Sequence, residues 1–260
     1  MSALPTPPAG HGLLDGKVVV ITAAAGTGIG FATARRCIEE GATVVVSDAH
    51  ERRLAESADA LAELSGTRPL AVSCDVTDEA QVQNLYDEAA RHHGRFDVAV
   101  NNAGLGGQVE IVDMSDDQWA TVLDVTLTGT FRCTRAALRH FYDQAAGGVI
   151  VNNASVLAWR AQAGQAHYAA AKAGVMALTR CSAVEAAPHG VRVNAVSPSL
   201  AIHPFLNRVM SDEHLAELAG REVWGRSAEV WEVANVIVFL ASDYATFMTG
   251  EVVSVSSQHP

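Results

Sequence analysis

Long apolar runs are absent from this 260-residue chain. None approaches the roughly 18 residues that a membrane-spanning helix needs, and "MSALPTPPAGHG" at the start has no basic stretch leading into an apolar one. The sequence therefore reads as an intracellular, cytoplasmic protein with no membrane partner. Basic charge is scarce too: 18 Lys and Arg stand against 29 Asp and Glu, a formal net charge of −11. Phosphate-backbone binding needs clustered cations, so no nucleic-acid partner is expected. Cysteine is sparse and scattered. Cys37, Cys74, Cys133 and Cys181 form no C-x-x-C pair, which argues against a zinc site or a disulfide framework and predicts buried free thiols in a reducing compartment.

What is there is globular composition, 49% hydrophobic and 18% charged, enough for a substantial core. Short β-branched runs alternate with long Ala-rich helical stretches: "KVVVIT" from Lys17, "ATVVVSD" from Ala42, "PLAVSCD" from Pro69, "FDVAVNN" from Phe96, "GVIVNNAS" from Gly148 and "VRVNAVSP" from Val191. Such alternation predicts βαβ units around a parallel sheet buried on both faces. "GEVVSVSS" from Gly250 adds a seventh strand. No linker or internal repeat divides the chain, so the reading is a flexible Pro-rich arm over 1–13 and one α/β domain over 14–260. The irregular stretch 199–225 follows the sixth strand, where open α/β sheets bind ligands, and is a candidate substrate loop.

The first strand runs into "TAAAGTGIGFATARR". Glycines there let the backbone approach a pyrophosphate, and the following helix offers unpaired N–H groups and its positive dipole end. Thr22, Gly26, Thr27, Gly28, Ile29 and Gly30 are the expected cofactor residues of this turn. A glycine cluster alone is also compatible with a plain strand-to-helix turn. Asp48, 18 residues after Gly30 and at the end of the second strand, can accept hydrogen bonds from a ribose and repel a 2′-phosphate, which favours NAD over NADP. Asp75 and Val76 after the third strand, and Asn102, Ala103 and Gly104 after the fourth, extend the same crevice. In "HYAAAKAG", Tyr168 and Lys172 stand four apart on a helix of small residues, so they share one face. A neighbouring ammonium favours the phenolate and is expected to draw the Tyr168 pKa down from about 10. Ser155 lies 13 residues before Tyr168 at the end of the fifth strand, placed to hold a substrate oxygen.

The Gly-rich turn ending "GIG", "NNAG" at Asn101, Ser155 followed by "YAAAK", "NAVSP" at Asn194 and "FLASDYATFMTGEV" together resemble the short-chain dehydrogenase/reductase family over nearly the whole chain. The resemblance implies a seven-stranded, three-layer Rossmann-type fold, a nicotinamide cofactor, alcohol–ketone interconversion and a homotetramer or homodimer. It implies Tyr168 as acid/base, Lys172 on the nicotinamide ribose, Ser155 on the carbonyl, and cofactor contacts at Pro198 and Ser199. Four positions depart from the family pattern. Ala23 replaces a glycine and is expected to resist positive φ, leaving Gly26 to turn the chain. Thr126 stands for the catalytic-helix asparagine, and His203 for a threonine that meets the carboxamide. The tail "VSVSSQHP" lacks the usual Asp-Gly-Gly close.

"TAAAGTGIG", Thr126, "NNASVLAWRAQ" and "QHP" further resemble a subgroup of actinobacterial steroid C/D-ring enzymes acting on hydroxy-indanone carboxyl-CoA thioesters. An acyl-CoA needs cationic groups for its phosphates, and Arg160, Arg208, Arg221 and Arg226 lie in or near the expected mouth, though ordinary surface arginines are the competing reading; Trp159, Phe205 and Trp224 suit a bulky ring system, and His203 is a candidate substrate contact. For the aromatic residues, lid packing is the competing role. Two functional classes fit: an active oxidoreductase, on such a thioester or on a 3-oxoacyl thioester of fatty-acid type, and a catalytically weak NAD-binding sensor or scaffold.

Overall fold

In the computed structural model, which describes residues 5–201 and 212–257, the β-branched runs form seven strands. These are β1 Val18–Ile21, β2 Thr43–Asp48, β3 Leu70–Ser73, β4 Val98–Asn101, β5 Gly148–Asn153, β6 Val191–Pro198 and β7 Val252–Val255. They pair in the order β3-β2-β1-β4-β5-β6-β7, every pair parallel. The helices are α1 Ile29–Glu39, α2 Glu51–Ser65, α3 Glu79–His93, α4 Asp116–Leu123, α5 Gly129–Gln144, α6 Ala166–Ala186, α7 Asp212–Gly220 and α8 Val230–Ala241.

Alternate residues of one strand feed two cores, as the period of two demands. Val19 and Ile21 of β1 pack with α1, α2 and α8. Val18 and Val20 face the layer containing α3, α5 and α6. The apolar strands thus sit between two helical layers, the expected three-layer sandwich. Strand order reverses between β1 and β4, and the crevice at their carboxyl ends is where such sheets collect ligands.

Two expectations need correction. Cys37, Cys74 and Cys133 are buried free thiols whose pKa values burial pushes well above the usual thiol range, but Cys181 is exposed. The arm is not loose along its whole length either. Arg36 of α1 donates to the carbonyls of Pro8 (2.9 Å) and Ala9 (3.2 Å). It also pairs with Glu40, whose fully buried carboxylate accepts from the N–H groups of His11 (2.8 Å) and Leu13 (3.1 Å).

Burial acts to raise the Glu40 pKa, but those amides and Arg36 outweigh it and hold the group below its usual 4.5. The stabilisation it lends is therefore present above pH 4.5 and is lost as pH falls through the lowered folded value. Arg36→Met strands a buried carboxylate, at a cost of about 3–5 kcal/mol. A lower urea midpoint at pH 7 and faster protease cleavage within the arm are expected; an unchanged midpoint would show that the strap contributes nothing.

Candidate functional site

Seven residues connect β1 to α1, and their path is set from outside the loop. Ala24 N–H donates to Ser47 O (2.9 Å), Ala25 N–H to the Asp48 carboxylate (3.3 Å) and Gly26 N–H to Ser57 Oγ on α2 (2.9 Å). The side-chain amide of Asn102 donates to the carbonyls of Ala23 (3.1 Å) and Thr22 (3.3 Å). Under this bracing Ala23 adopts φ +50° and Gly26 φ +85°. The expectation that Ala23 avoids the left-handed region is therefore wrong: the surrounding bonds offset a local cost of about 1–2 kcal/mol.

Gly30 is fixed by contact. A Cβ there would lie 2.2 Å from Ala23 O and 2.6 Å from Asn102 Nδ2. At Gly26 and Gly28 a Cβ would meet nothing within 4 Å, so both border open space. Gly28 caps α1 with no side-chain hydrogen bond, and the first turn holds no acidic residue. That leaves the helix's amide groups and dipole available to an anion. Asp48 stands beside this opening, half-buried, with His50 N–H on its other oxygen (2.9 Å). Burial raises its pKa, opposed by Ala25 N–H and the charge of Arg53. Open glycines, an uncapped helix and a carboxylate at the end of β2 fit a nicotinamide dinucleotide.

Thr22 is 1% exposed, and its hydroxyl accepts from the N–H groups of Asn102 (3.0 Å) and Ala103 (3.1 Å). It ties β1 to the β4 loop. The Asp75 carboxylate closes a turn with Thr77 (2.9 and 2.8 Å), and Val76 is buried against Gly129. Thr27 is exposed and Ile29 half-buried at the start of α1; Pro198 ends β6, and Ser199 N–H donates to Val255 O (3.0 Å).

Ser155 follows β5, 8% exposed, with its hydroxyl accepting from Leu157 N–H (3.2 Å) and near enough to the Tyr168 phenol to act on its pKa. On α6 Lys172 is 2% exposed; its ammonium donates to Asn153 O and lies 5.6 Å from the Tyr168 ring centroid. Burial alone lowers the Lys172 pKa to about 7. The Tyr168 ring is partly exposed, but its hydroxyl end is deep enough that burial raises its pKa above the usual 10, against a lowering by Ser155. The expected lowering by Lys172 does not prevail, because desolvation works against both charged forms and the ammonium points at a backbone carbonyl. Small residues make room for this pair: a Cβ on Gly104 would sit 3.3 Å from Lys172 Nζ, and one on Gly106 would sit 3.6 Å from the Tyr168 ring.

Thr126 lies fully buried in a one-turn π-helix, Asp124–Thr128, between α4 and α5. Its hydroxyl donates to Leu105 O (3.0 Å) and accepts from Leu105 N–H (2.9 Å). It pins the loop after β4 and makes no hydrogen bond to Lys172. Trp159 and Trp224 are 41% and 67% exposed. Arg160 donates to Ser256 Oγ (2.9 Å), Arg221 pairs with Glu217 (2.6 Å) and Arg226 with Glu232 (2.7 Å). The expectation of Arg221 and Arg226 as phosphate ligands is weakened by those ion pairs. His203, Phe205 and Arg208 lie outside the described residues.

Two further residues matter that the motif reading passed over. Asn153 presents its carbonyl to Lys172 and donates its side-chain amide to Asn102 Oδ1 (2.9 Å), so the lysine and the glycine turn share one brace. Its Oδ1 is buried without a partner among the described residues, an acceptor left facing the site. The signal was the repeated "NN" at the ends of neighbouring strands, with Asn101 opposite Asn152. Ser57, which holds Gly26, had no local signal.

Comparison with known proteins agrees with this geometry. The family model described as enoyl-(acyl carrier protein) reductase matches residues 23–257. The chain is 65% identical, over 100% of its length and 99% of the relative's, to a Mycobacterium tuberculosis protein named (5R,7aS)-5-hydroxy-7a-methyl-1-oxo-2,3,5,6,7,7a-hexahydro-1H-indene-carboxyl-CoA reductase. A short-chain dehydrogenase structure from Mycobacterium smegmatis superposes with TM-score 0.89 at 59% identity, covering 99% of both chains. The structure of an NAD⁺-bound xylitol dehydrogenase does so with TM-score 0.87 at 31% identity, covering 94% of this chain and 99% of that one. A seven-stranded parallel sheet, a serine–tyrosine–lysine cluster at its carboxyl edge and full-length matches of this strength lead to one assignment: the chain belongs to the short-chain dehydrogenase/reductase family of oxidoreductases.

Proposed function

We propose that the protein is an NAD(H)-dependent oxidoreductase that interconverts a secondary alcohol and a ketone on a steroid-derived hydroxy-indanone carboxyl-CoA thioester. The observation that carries the chemistry is the Ser155 hydroxyl acting on the Tyr168 phenol, with Lys172 buried beside them. The substrate class rests on the 65% identity to the indene-carboxyl-CoA reductase. The cofactor reading rests on Asp48, supported by the NAD⁺-bound neighbour. Exposed Phe247, Tyr244, Ile111 and Val112 support assembly into a homo-oligomer.

A nicotinamide dinucleotide, when bound, supplies or accepts the hydride. The amides at Gly28, Ile29 and Gly30 would take its phosphates, with Gly26, its own N–H held by Ser57, leaving room for their approach; Asp48 would take a ribose, and Lys172 the nicotinamide ribose. In reduction, Ser155 donates a hydrogen bond to the substrate oxygen and Tyr168 gives that oxygen its proton. A phenol with a raised pKa remains protonated at neutral pH, the form a proton donor needs. In oxidation the same oxygen atoms act in reverse: Tyr168 as phenolate takes the alcohol proton, with the charge of Lys172 favouring that anion. Trp159 and Trp224, exposed on the substrate side, offer apolar surface to fused rings.

Tyr168→Phe is expected to lower turnover of the polycyclic thioester by about 10²–10⁴-fold while NADH affinity, read by fluorescence titration, stays within twofold. Retained turnover would overturn the assignment of Tyr168. The sensor reading predicts tight NADH binding with no turnover on any hydroxyacyl-CoA. Asp48→Asn removes the repulsion of a 2′-phosphate, so the ratio of kcat/KM for NADP⁺ to that for NAD⁺ is expected to rise about tenfold or more. A 3-oxoacyl reductase specialised for NADPH would instead show the phosphorylated cofactor preferred before mutation.

The lowered Lys172 pKa has a stability consequence. An unfolded lysine holds its proton up to about 10.5, whereas the folded one releases it near 7. Folding is thus penalised fully below pH 7, and the penalty fades as pH rises toward 10.5. Lys172→Met is expected to abolish turnover yet gain unfolding stability relative to the parent, more at pH 6.5 than at pH 10. Urea midpoints of both proteins at the two pH values check the sign.

A further inference from the structure

The tail after β7 departs from the family's usual close, and the structure gives that departure a role. β7 ends at Val255, on the carboxyl edge of the sheet, where Ser199 N–H meets Val255 O. The next two residues bond to two different segments of the chain. Ser256 Oγ accepts from Arg160 Nη2 (2.9 Å), on the loop that leaves Ser155. Ser257 donates both its hydroxyl (2.8 Å) and its backbone N–H (3.2 Å) to Glu222 Oε2.

Glu222 lies in the last part of the 199–225 segment and is 6% exposed. A buried carboxylate needs donors to offset its desolvation, and Ser257 supplies two. Among the described residues the segment is also tied at its base, where Ala228 N–H donates to Leu200 O (2.8 Å). The two anchor points adjoin the exposed aromatics: Trp159 precedes Arg160, and Trp224 is two residues past Glu222. A glycine in place of Ser257 would have no hydroxyl to give.

We infer that Ser256 and Ser257 are specificity-determining positioning residues: they latch the C-terminal tail between Arg160 and Glu222 and so fix the spacing of the Trp159 and Trp224 walls for a bulky polycyclic acyl thioester. This rests on the proposed substrate class. The latch acts through the walls, never on the reacting atoms. Loosening it changes how a large ring system is held and leaves hydride and proton transfer as they were. Small alcohols, which do not span the two walls, do not register it.

The test compares Ser257→Gly, Ser257→Thr, Glu222→Leu and the Ser257→Gly/Glu222→Leu double variant, all full-length. Ser257→Gly and Glu222→Leu are each expected to raise KM for the polycyclic thioester about tenfold, with NADH affinity and kcat within twofold. Ser257→Thr, which keeps the hydroxyl, restores KM. The double variant matches Glu222→Leu alone, because both changes break the same bond. Additive effects, an equal loss on a small secondary alcohol, or unchanged KM in both single variants would each overturn the latch.

A parent enzyme inactive on the polycyclic thioester would remove the substrate reading and leave the latch testable by amide hydrogen exchange. Peptides covering 215–225 and the tail are then expected to exchange about tenfold faster in Ser257→Gly and Glu222→Leu than in the parent or Ser257→Thr. Identical exchange in all four proteins refutes the latch.

Discussion

A buried ammonium without a carboxylate sets the terms for the rest of this site. Lys172 is one of two lysines in the chain, the other being Lys17, and among the described residues no acid pairs with it. Its partner is the carbonyl of Asn153. A carboxylate there would keep the lysine charged at any working pH and tie it down; a carbonyl leaves it near its switching point and free to serve a ribose. Its neighbours must then be small, as Gly104 and the fully buried Ala171 are, for the side chain to lie flat beside Tyr168.

That one contact also makes the two halves of the site a single piece. Asn153 bonds Asn102, and Asn102 bonds the carbonyls of the glycine turn, including that of Ala23 in its left-handed conformation. The backbone strain at Ala23 and the desolvation of Lys172 are both local costs, connected through two asparagine side chains. Such costs persist only where the surroundings over-determine the geometry, and they concentrate at sites that act on something else. Asn153 Oδ1 and Ser197 Oγ, buried near the carboxyl ends of β5 and β6 without partners among the described residues, mark the same edge.

The sheet was legible because strands buried on both faces are written as unbroken Val and Ile runs, a pattern that needs no tertiary information. Ser155, Tyr168 and Lys172 were legible because a strand end and one helical turn fix their relation. What was not legible depends on contacts between distant parts of the chain. Ala23 takes a conformation its residue type disfavours because Asn102, 79 positions away, holds its carbonyl. The Tyr168 pKa moves up because burial, which spacing cannot show, outweighs its neighbour. Arg221 and Arg226 read as free cations and are paired by Glu217 and Glu232. Arg36 and Glu40, which carry no motif, hold the arm through Pro8, His11 and Leu13, some 27 to 29 positions away.

Chemistry and specificity are built from different stretches of this fold. The cofactor turn, the asparagine brace and the Ser–Tyr–Lys cluster come from β1 through α6, where each residue is positioned by the sheet or by a helix docked on it. The proposed substrate side gathers short pieces far apart in sequence: Trp159–Arg160, Glu222 and Trp224, and Ser256–Ser257. Arg160, Glu222, Ser256 and Ser257 lie outside the strands and helices, joined through their side chains. The first set can therefore stay rigid while the second changes width and lining, because no hydrogen bond described for the latch passes through Lys172 or the glycine turn. Under the proposed latch, selectivity for the acyl thioester can therefore change at that edge without disturbing the chemistry.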